Sequence, residues 1–139
     1  MINPILCIDD DEVAGYILRV SLHKGGLGPD IQVFKDCEEA IGHLRQLEEK
    51  GASLPELIFL DLNMNYMDGW EFLEFFQGAI HPRFPESKII ILTSSLNPED
   101  RARSGMFDFV LDFYEKPVGQ DLIRKLKEHS YFSGRFSDN

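Results

Sequence analysis

Short apolar runs alternate along the chain with longer segments in which apolar residues recur at helical spacing. The runs are Ile5-Leu6-Cys7-Ile8, Ile31-Gln32-Val33-Phe34, Leu57-Ile58-Phe59-Leu60 and Ile89-Ile90-Ile91-Leu92, with a weaker one within Phe109 to Tyr114. Runs without polar alternation suit strands covered on both faces, and so a parallel sheet. Between them, Val13, Ile17 and Val20 recur at helix spacing before Gly25-Gly26 stops the segment. Asp36 with Glu39 has the spacing of a capping box, followed by Ile41, Leu44 and Leu47, and Gly51 closes that helix. A third helix runs from Gly69 to about Gly78. It crowds Trp70, Phe72, Phe75 and Phe76, which read mostly as core, but four such neighbours cannot all face inward, so one or two are left for the surface, where they could contact a partner. Asn97-Pro98 opens a fourth, with Glu99 and Asp100 complementing its dipole, and Leu122, Ile123 and Leu126 mark a fifth. Ser130 to Asn139 has no period and reads as a loose tail.

The order βαβαβαβαβα implies right-handed crossovers and an open, doubly wound α/β sheet of five parallel strands. The length, 139 residues, fits one domain, and no internal repeat or linker divides it. In such sheets a site forms outside the carboxyl ends of the strands. Those ends carry chemistry. The first strand ends in Asp9-Asp10-Asp11, the third in Asp61, the fourth in Thr93-Ser94-Ser95, and Lys116-Pro117 follows the fifth.

Three carboxylates in one pocket repel one another, and protonation or a cation must relieve that. Mg²⁺ suits such oxygen ligands. Asp11 reads as a helix cap, leaving Asp9 and Asp10 for the site. A carboxylate beside Mg²⁺ can act as a nucleophile toward phosphorus, giving an acyl phosphate. A hydroxyl such as that of Thr93 can hydrogen-bond a phosphoryl oxygen, and the Lys116 ammonium can act on it as a point charge. Each residue alone has an ordinary structural reading. Their meeting at one edge favours the functional one.

The remaining composition narrows the function. Lys and Arg number 14 against 24 Asp and Glu, a formal net charge of −10. Such a surface is repelled by phosphate backbones and anionic lipid, which argues against direct nucleic-acid or membrane binding. Cys7 and Cys37 form no CxxC or Cys/His cluster and read as two small buried hydrophobes. The N-terminus has no basic region of the signal-peptide kind, and no apolar run approaches a membrane span, so a soluble cytoplasmic protein is expected.

With these residues in place the chain resembles the receiver domain of two-component response regulators, over about Ile5 to Glu128. The matching pieces are Ile8-Asp9-Asp10-Asp11-Glu12, Leu60-Asp61-Leu62-Asn63-Met64 with Met67-Asp68-Gly69, Leu92-Thr93-Ser94-Ser95 and Phe113-Tyr114-Glu115-Lys116-Pro117. The resemblance implies a flavodoxin-like sheet of order 2-1-3-4-5 with five helices in three layers. It implies a receiver over residues 1–129 and a tail over 130–139, with no output domain. Asp61 would accept a phosphoryl group from a histidine kinase or histidine phosphotransfer protein. Mg²⁺ would be held by Asp10 directly, Asp9 through water, Asp61, and the backbone carbonyl of Asn63. Lys116 would contact the phosphoryl group, and Thr93 and Phe113 would be the switch hydroxyl and switch aromatic. The surface of the fourth helix, fifth strand and fifth helix would then bind a downstream protein, and homodimerisation through it is left open. The protein would be a signalling switch, not a metabolic enzyme.

The chain departs from the family pattern at Asn65, where Pro is usual, and over Ser104 to Leu111, which lacks the usual Gly-Ala pair. Asn63 and Ser95 occupy positions that tune self-dephosphorylation in the family. Three other functions fit less well. A constitutive binding module would not need all five site residues. A haloacid-dehalogenase-type phosphohydrolase wants an Asp where Asn63 stands. An FMN carrier would have its phosphate repelled by three aspartates.

Overall fold

The computed structural model describes residues 1–62, 64, 68–94, 97–116 and 118–136. Five strands form one sheet: β1 (Ile5–Ile8), β2 (Ile31–Phe34), β3 (Leu57–Asp61), β4 (Lys88–Thr93) and β5 (Val110–Glu115). All neighbours pair in parallel, in the order β2-β1-β3-β4-β5. The helices are α1 (Glu12–Lys24), α2 (Cys37–Lys50), α3 (Gly69–Ala79), α4 (Pro98–Ser104) and α5 (Gln120–Glu128). This is the expected flavodoxin-like α/β architecture.

Alternation along the strands builds two cores. Leu6, Ile8, Ile58, Leu60, Ile89 and Ile91 face one way and pack with Ile41 and Leu44 of α2 and Phe72, Leu73 and Phe76 of α3. Ile5, Cys7, Leu57, Phe59, Ile90 and Leu92 face the other way, toward Leu18 and Leu22 of α1 and Leu122 and Leu126 of α5. Both faces are apolar because both are covered, which is why the strands show no polar alternation. Cys7 and Cys37 are buried and unbridged. Among the described residues no helix is long and apolar enough to cross a membrane.

Helix boundaries follow local chemistry. The Asp36 carboxylate accepts the Glu39 N–H at 2.7 Å, while the reciprocal capping box forms at Asp68 and Glu71. Asn97 accepts the Glu99 N–H at 2.9 Å, with Pro98 behind it. Gly51 closes α2 in the left-handed region at φ 67°.

Two expectations are corrected. The Val13, Ile17 and Val20 stripe is not the core face of α1. Val13 and Ile17 are 67% and 45% exposed, and the helix instead buries Gly15, Leu18 and Leu22. The two leucines carry more apolar area, and Gly15 lets the helix lie close to β2, where an added Cβ would meet Val33 at 2.8 Å. Nor is the described tail loose. Ser130–Phe132 form a 3₁₀ turn, Phe132 is fully buried in the second core, and Phe136 packs beside it. Arg135 pairs with Glu56 and donates to the Met1 carbonyl at 2.7 Å. Isolated aromatic plugs need no periodic pattern, so sequence periodicity does not reveal them.

Candidate functional site

The site is built where β1, β3, β4 and β5 end. Asp9 directly follows β1, and its N–H donates to the Phe34 carbonyl at 3.0 Å. Its carboxylate accepts the Asp11 N–H at 2.9 Å. Asp11 turns away and caps α1, accepting from Val13 and Ala14. Asp10, between them, is exposed. Asp61 and Thr93 are the last residues of β3 and β4, and both are buried together with Asp9.

Carboxylate oxygens of Asp9, Asp10 and Asp61 lie within 4.8 Å of one another. Opposite ligands of Mg²⁺ stand roughly 4.2 Å apart, so small side-chain rotations suffice to fit this oxygen-only set to a hard divalent cation. Asn63, the expected source of a backbone ligand, lies outside the described residues, as do Asn65, Ser95 and Pro117.

Lys116 comes in from the end of β5. Its backbone N–H donates to the Thr93 carbonyl at 2.7 Å, fixing the turn after β5 against the end of β4. Its ammonium hydrogen-bonds the Asp9 carboxylate and stands 3.4 Å from the Asp61 carboxylate. Burial works to lower the ammonium's pKa, but the bond to Asp9 and the charges of Asp61 and Asp9 outweigh it. The net shift is upward, so Lys116 stays charged. The Lys116 ammonium reaches two of the three clustered carboxylates and cannot balance their charge, an imbalance that a divalent cation would correct.

The switch aromatic expected at Phe113 is buried within the first core. It pairs across from Ile91, two residues before Thr93.

The structure therefore gathers Asp9, Asp10, Asp61, Thr93 and Lys116 at one edge. Two features were not read from the sequence. Gly69, at the start of α3, has no room for a side chain: a Cβ would stand 2.7 Å from Leu62 Cα and 2.9 Å from the Asp61 carbonyl oxygen. The Gly after Asp68 was the available signal. Asp112 is a hub on β5, accepting the Phe113 N–H at 2.8 Å and the Tyr114 hydroxyl at 2.9 Å, with His129 at 3.4 Å. A charged residue inside a weak apolar run was the signal for it.

A family model of the response regulator receiver domain matches residues 5–128. The chain belongs to the response regulator receiver family. As a two-component receiver it is a phosphoacceptor signalling module, and its acidic pocket is the triad Asp9, Asp10 and Asp61. Such a receiver implies a cognate histidine kinase. The receiver is 28% identical over 125 residues to a probable methanogenesis regulatory protein, FilR2, of Methanothrix harundinacea, covering 89% of this chain and 79% of that one. It superposes on the crystal structure of a two-component response regulator from Cytophaga hutchinsonii with a TM-score of 0.80 at 29% identity, covering 88% and 91% of the two chains. The phosphorylated cyanobacterial phytochrome response regulator RcpA gives 0.74 at 25% identity, covering 96% and 95%.

Proposed function

We propose that this receiver takes a phosphoryl group on Asp61 from a phosphohistidine and uses it to change the surface of α4, β5 and α5. The observation that carries this reading is the meeting of Asp61 with Asp9, Asp10 and Lys116 at one strand edge. An Asp61 carboxylate oxygen attacks phosphorus. The new O–P bond forms as the P–N bond breaks, and the electron pair stays on the imidazole nitrogen, which takes up a proton from water. Mg²⁺, when bound, would supply neutralisation of charge on the transferring group. Asp9, Asp10, Asp61 and the carbonyl of Asn63 are the groups that would hold it.

The rest of the chain supplies positioning. The Lys116 ammonium, already 3.4 Å from Asp61, is placed to follow the added oxygens. Thr93, one strand over, offers its hydroxyl to the same group, and Phe113, on β5, carries the change to the surface of that strand. A concave surface of about 840 Å³ between these elements, lined in part by Asp112, Tyr114, Leu122 and Lys125, is where a downstream protein would meet the switched form. The donor side has its own surface. Val13, Tyr16 and Ile17 are exposed at helix spacing on α1, the helix that follows Asp9 and Asp10, and suit the flank of a helical kinase or phosphotransfer protein. A phosphohistidine renewed from ATP places the protein in the cytoplasm, and a net charge of −10 directs its output to protein partners.

Borohydride trapping tests the assignment. Incubation with a phosphorylated phosphotransfer protein and Mg²⁺, followed by reduction, should convert residue 61 to homoserine in the peptide map. Conversion at another aspartate would overturn the choice of Asp61.

A further inference from the structure

Helix α4 is built unlike the other four. Its seven residues, Pro98-Glu99-Asp100-Arg101-Ala102-Arg103-Ser104, include no large apolar side chain, and Ser104 alone is buried. A helix this short and polar on all sides does not hold its place by propensity or by a core-facing stripe. Two arginines on it reach opposite neighbours. The Arg103 guanidinium lies over the indole of Trp70, 4.2 Å from the ring centroid. Arg101 lies 3.9 Å from Asp112.

What these arginines hold is connected to the site on both sides. Trp70 is the second residue of α3, whose first residue, Gly69, donates its N–H to the Leu62 carbonyl at 3.1 Å, one residue past Asp61. The Asp112 oxygen that Arg101 approaches is the one that accepts the N–H of Phe113. One tether thus runs to the segment that follows Asp61, the other to the backbone of the proposed switch aromatic.

We infer that Arg101 and Arg103 are positioning residues that suspend α4 between α3 and β5, so that its placement depends on both segments at once. The inference rests on the reading of Asp61 as phosphoacceptor only for its second half, the response to phosphorylation. The two tethers are unequal. A guanidinium lying over an indole is generally worth more than an exposed ion pair at 3.9 Å, so Arg103 carries the larger share of the hold.

Amide hydrogen exchange of residues 99–104 in the full chain tests both halves. Without phosphodonor, Arg103→Ala should speed exchange about fivefold and Arg101→Ala about twofold, from the usual strengths of such contacts. Alanine is the better helix former, so acceleration would not come from lost propensity. Arg103→Lys, which keeps a cation over the ring, should restore part of the protection, and Arg124→Ala on α5 should leave α4 unchanged. Unaltered exchange in both Arg103→Ala and Trp70→Leu would overturn the tether. With acetyl phosphate and Mg²⁺, wild type should show altered α4 exchange. Arg103→Ala should take up the same mass adduct yet show less than half of that alteration, and a full-sized response in this variant would overturn the coupling. Absence of the adduct from wild type would count against the phosphoacceptor reading alone, since the comparison without donor decides the tether by itself.

Discussion

A Cβ on Gly69 would stand 2.9 Å from the carbonyl oxygen of Asp61, so the first turn of α3 lies directly on the backbone of the acid at the centre of the site. The contact is with main chain on both sides, which cannot rotate away. Gly69→Ala should therefore push α3 from β3 and cost stability on the order of 1–3 kcal/mol, as overpacking does. Denaturant unfolding together with a Mg²⁺ titration checks this. Unchanged stability and metal affinity would show that the helix start gives way freely.

That contact also marks the limit of what the sequence disclosed. The strand runs and the acids at their ends were legible because burial on both faces leaves no polar alternation and because site residues must follow strands. Asp9, Asp10, Asp61, Thr93 and Lys116 could each be placed from that rule. The inward face of α1 was not legible, since Val13 and Ile17 have the same period as Leu18 and Leu22 and only packing against β2 separates the two stripes. Phe132 and Arg135 fell outside any period, so their docking was invisible. A charged residue inside the weak apolar run of β5 marked Asp112 as unusual, but its partners come from α4, β5 and the turn after α5 meeting in space, which no local pattern encodes.

The three acids should contribute unequally to cation binding. Asp10 is the exposed member, whereas Asp9 and Asp61 are buried and share the Lys116 ammonium. Asp10→Asn should weaken Mg²⁺ affinity by roughly tenfold or more. Lys116→Ala, which removes a competing cation, should not weaken it. Isothermal titration separates the two, and equal losses would contradict the role given to Lys116.

Tyr114 should carry a pH signature. Burial first, then its hydrogen bond to Asp112, raises the phenol above its ordinary value. A group whose folded pKa is raised stabilises the fold fully below its unfolded pKa, near 10 for tyrosine, and that contribution is lost as pH climbs toward the folded value. Stability should therefore fall above about pH 10, and Tyr114→Phe should flatten that fall. An identical alkaline profile in the variant would contradict the assignment.

The two thiols should be inert. Burial pushes Cys37 up to about 12, with Asp36 and Asp68 adding to it, and burial with Asp9 beside it raises Cys7 as well. At pH 8 a thiol reagent should label neither in the folded protein and both after denaturation. Rapid labelling of the native chain would place one of them in an open environment.

Phe132 anchors the described end of the chain in the second core. Phe132→Ala should cost roughly 3–5 kcal/mol, the usual range for a buried phenylalanine. A loss below about 1 kcal/mol would return this segment to the loose tail that its sequence suggests.

The central claim is that Asp61 accepts a phosphoryl group with the help of a divalent cation. Intact-mass spectrometry after incubation with acetyl phosphate, with and without Mg²⁺, on wild type and Asp61→Asn, tests it most directly. The account predicts one phosphoryl adduct on wild type that requires Mg²⁺ and is absent from the variant. An adduct that persists in Asp61→Asn, or that forms equally well in the presence of a chelator, would contradict it.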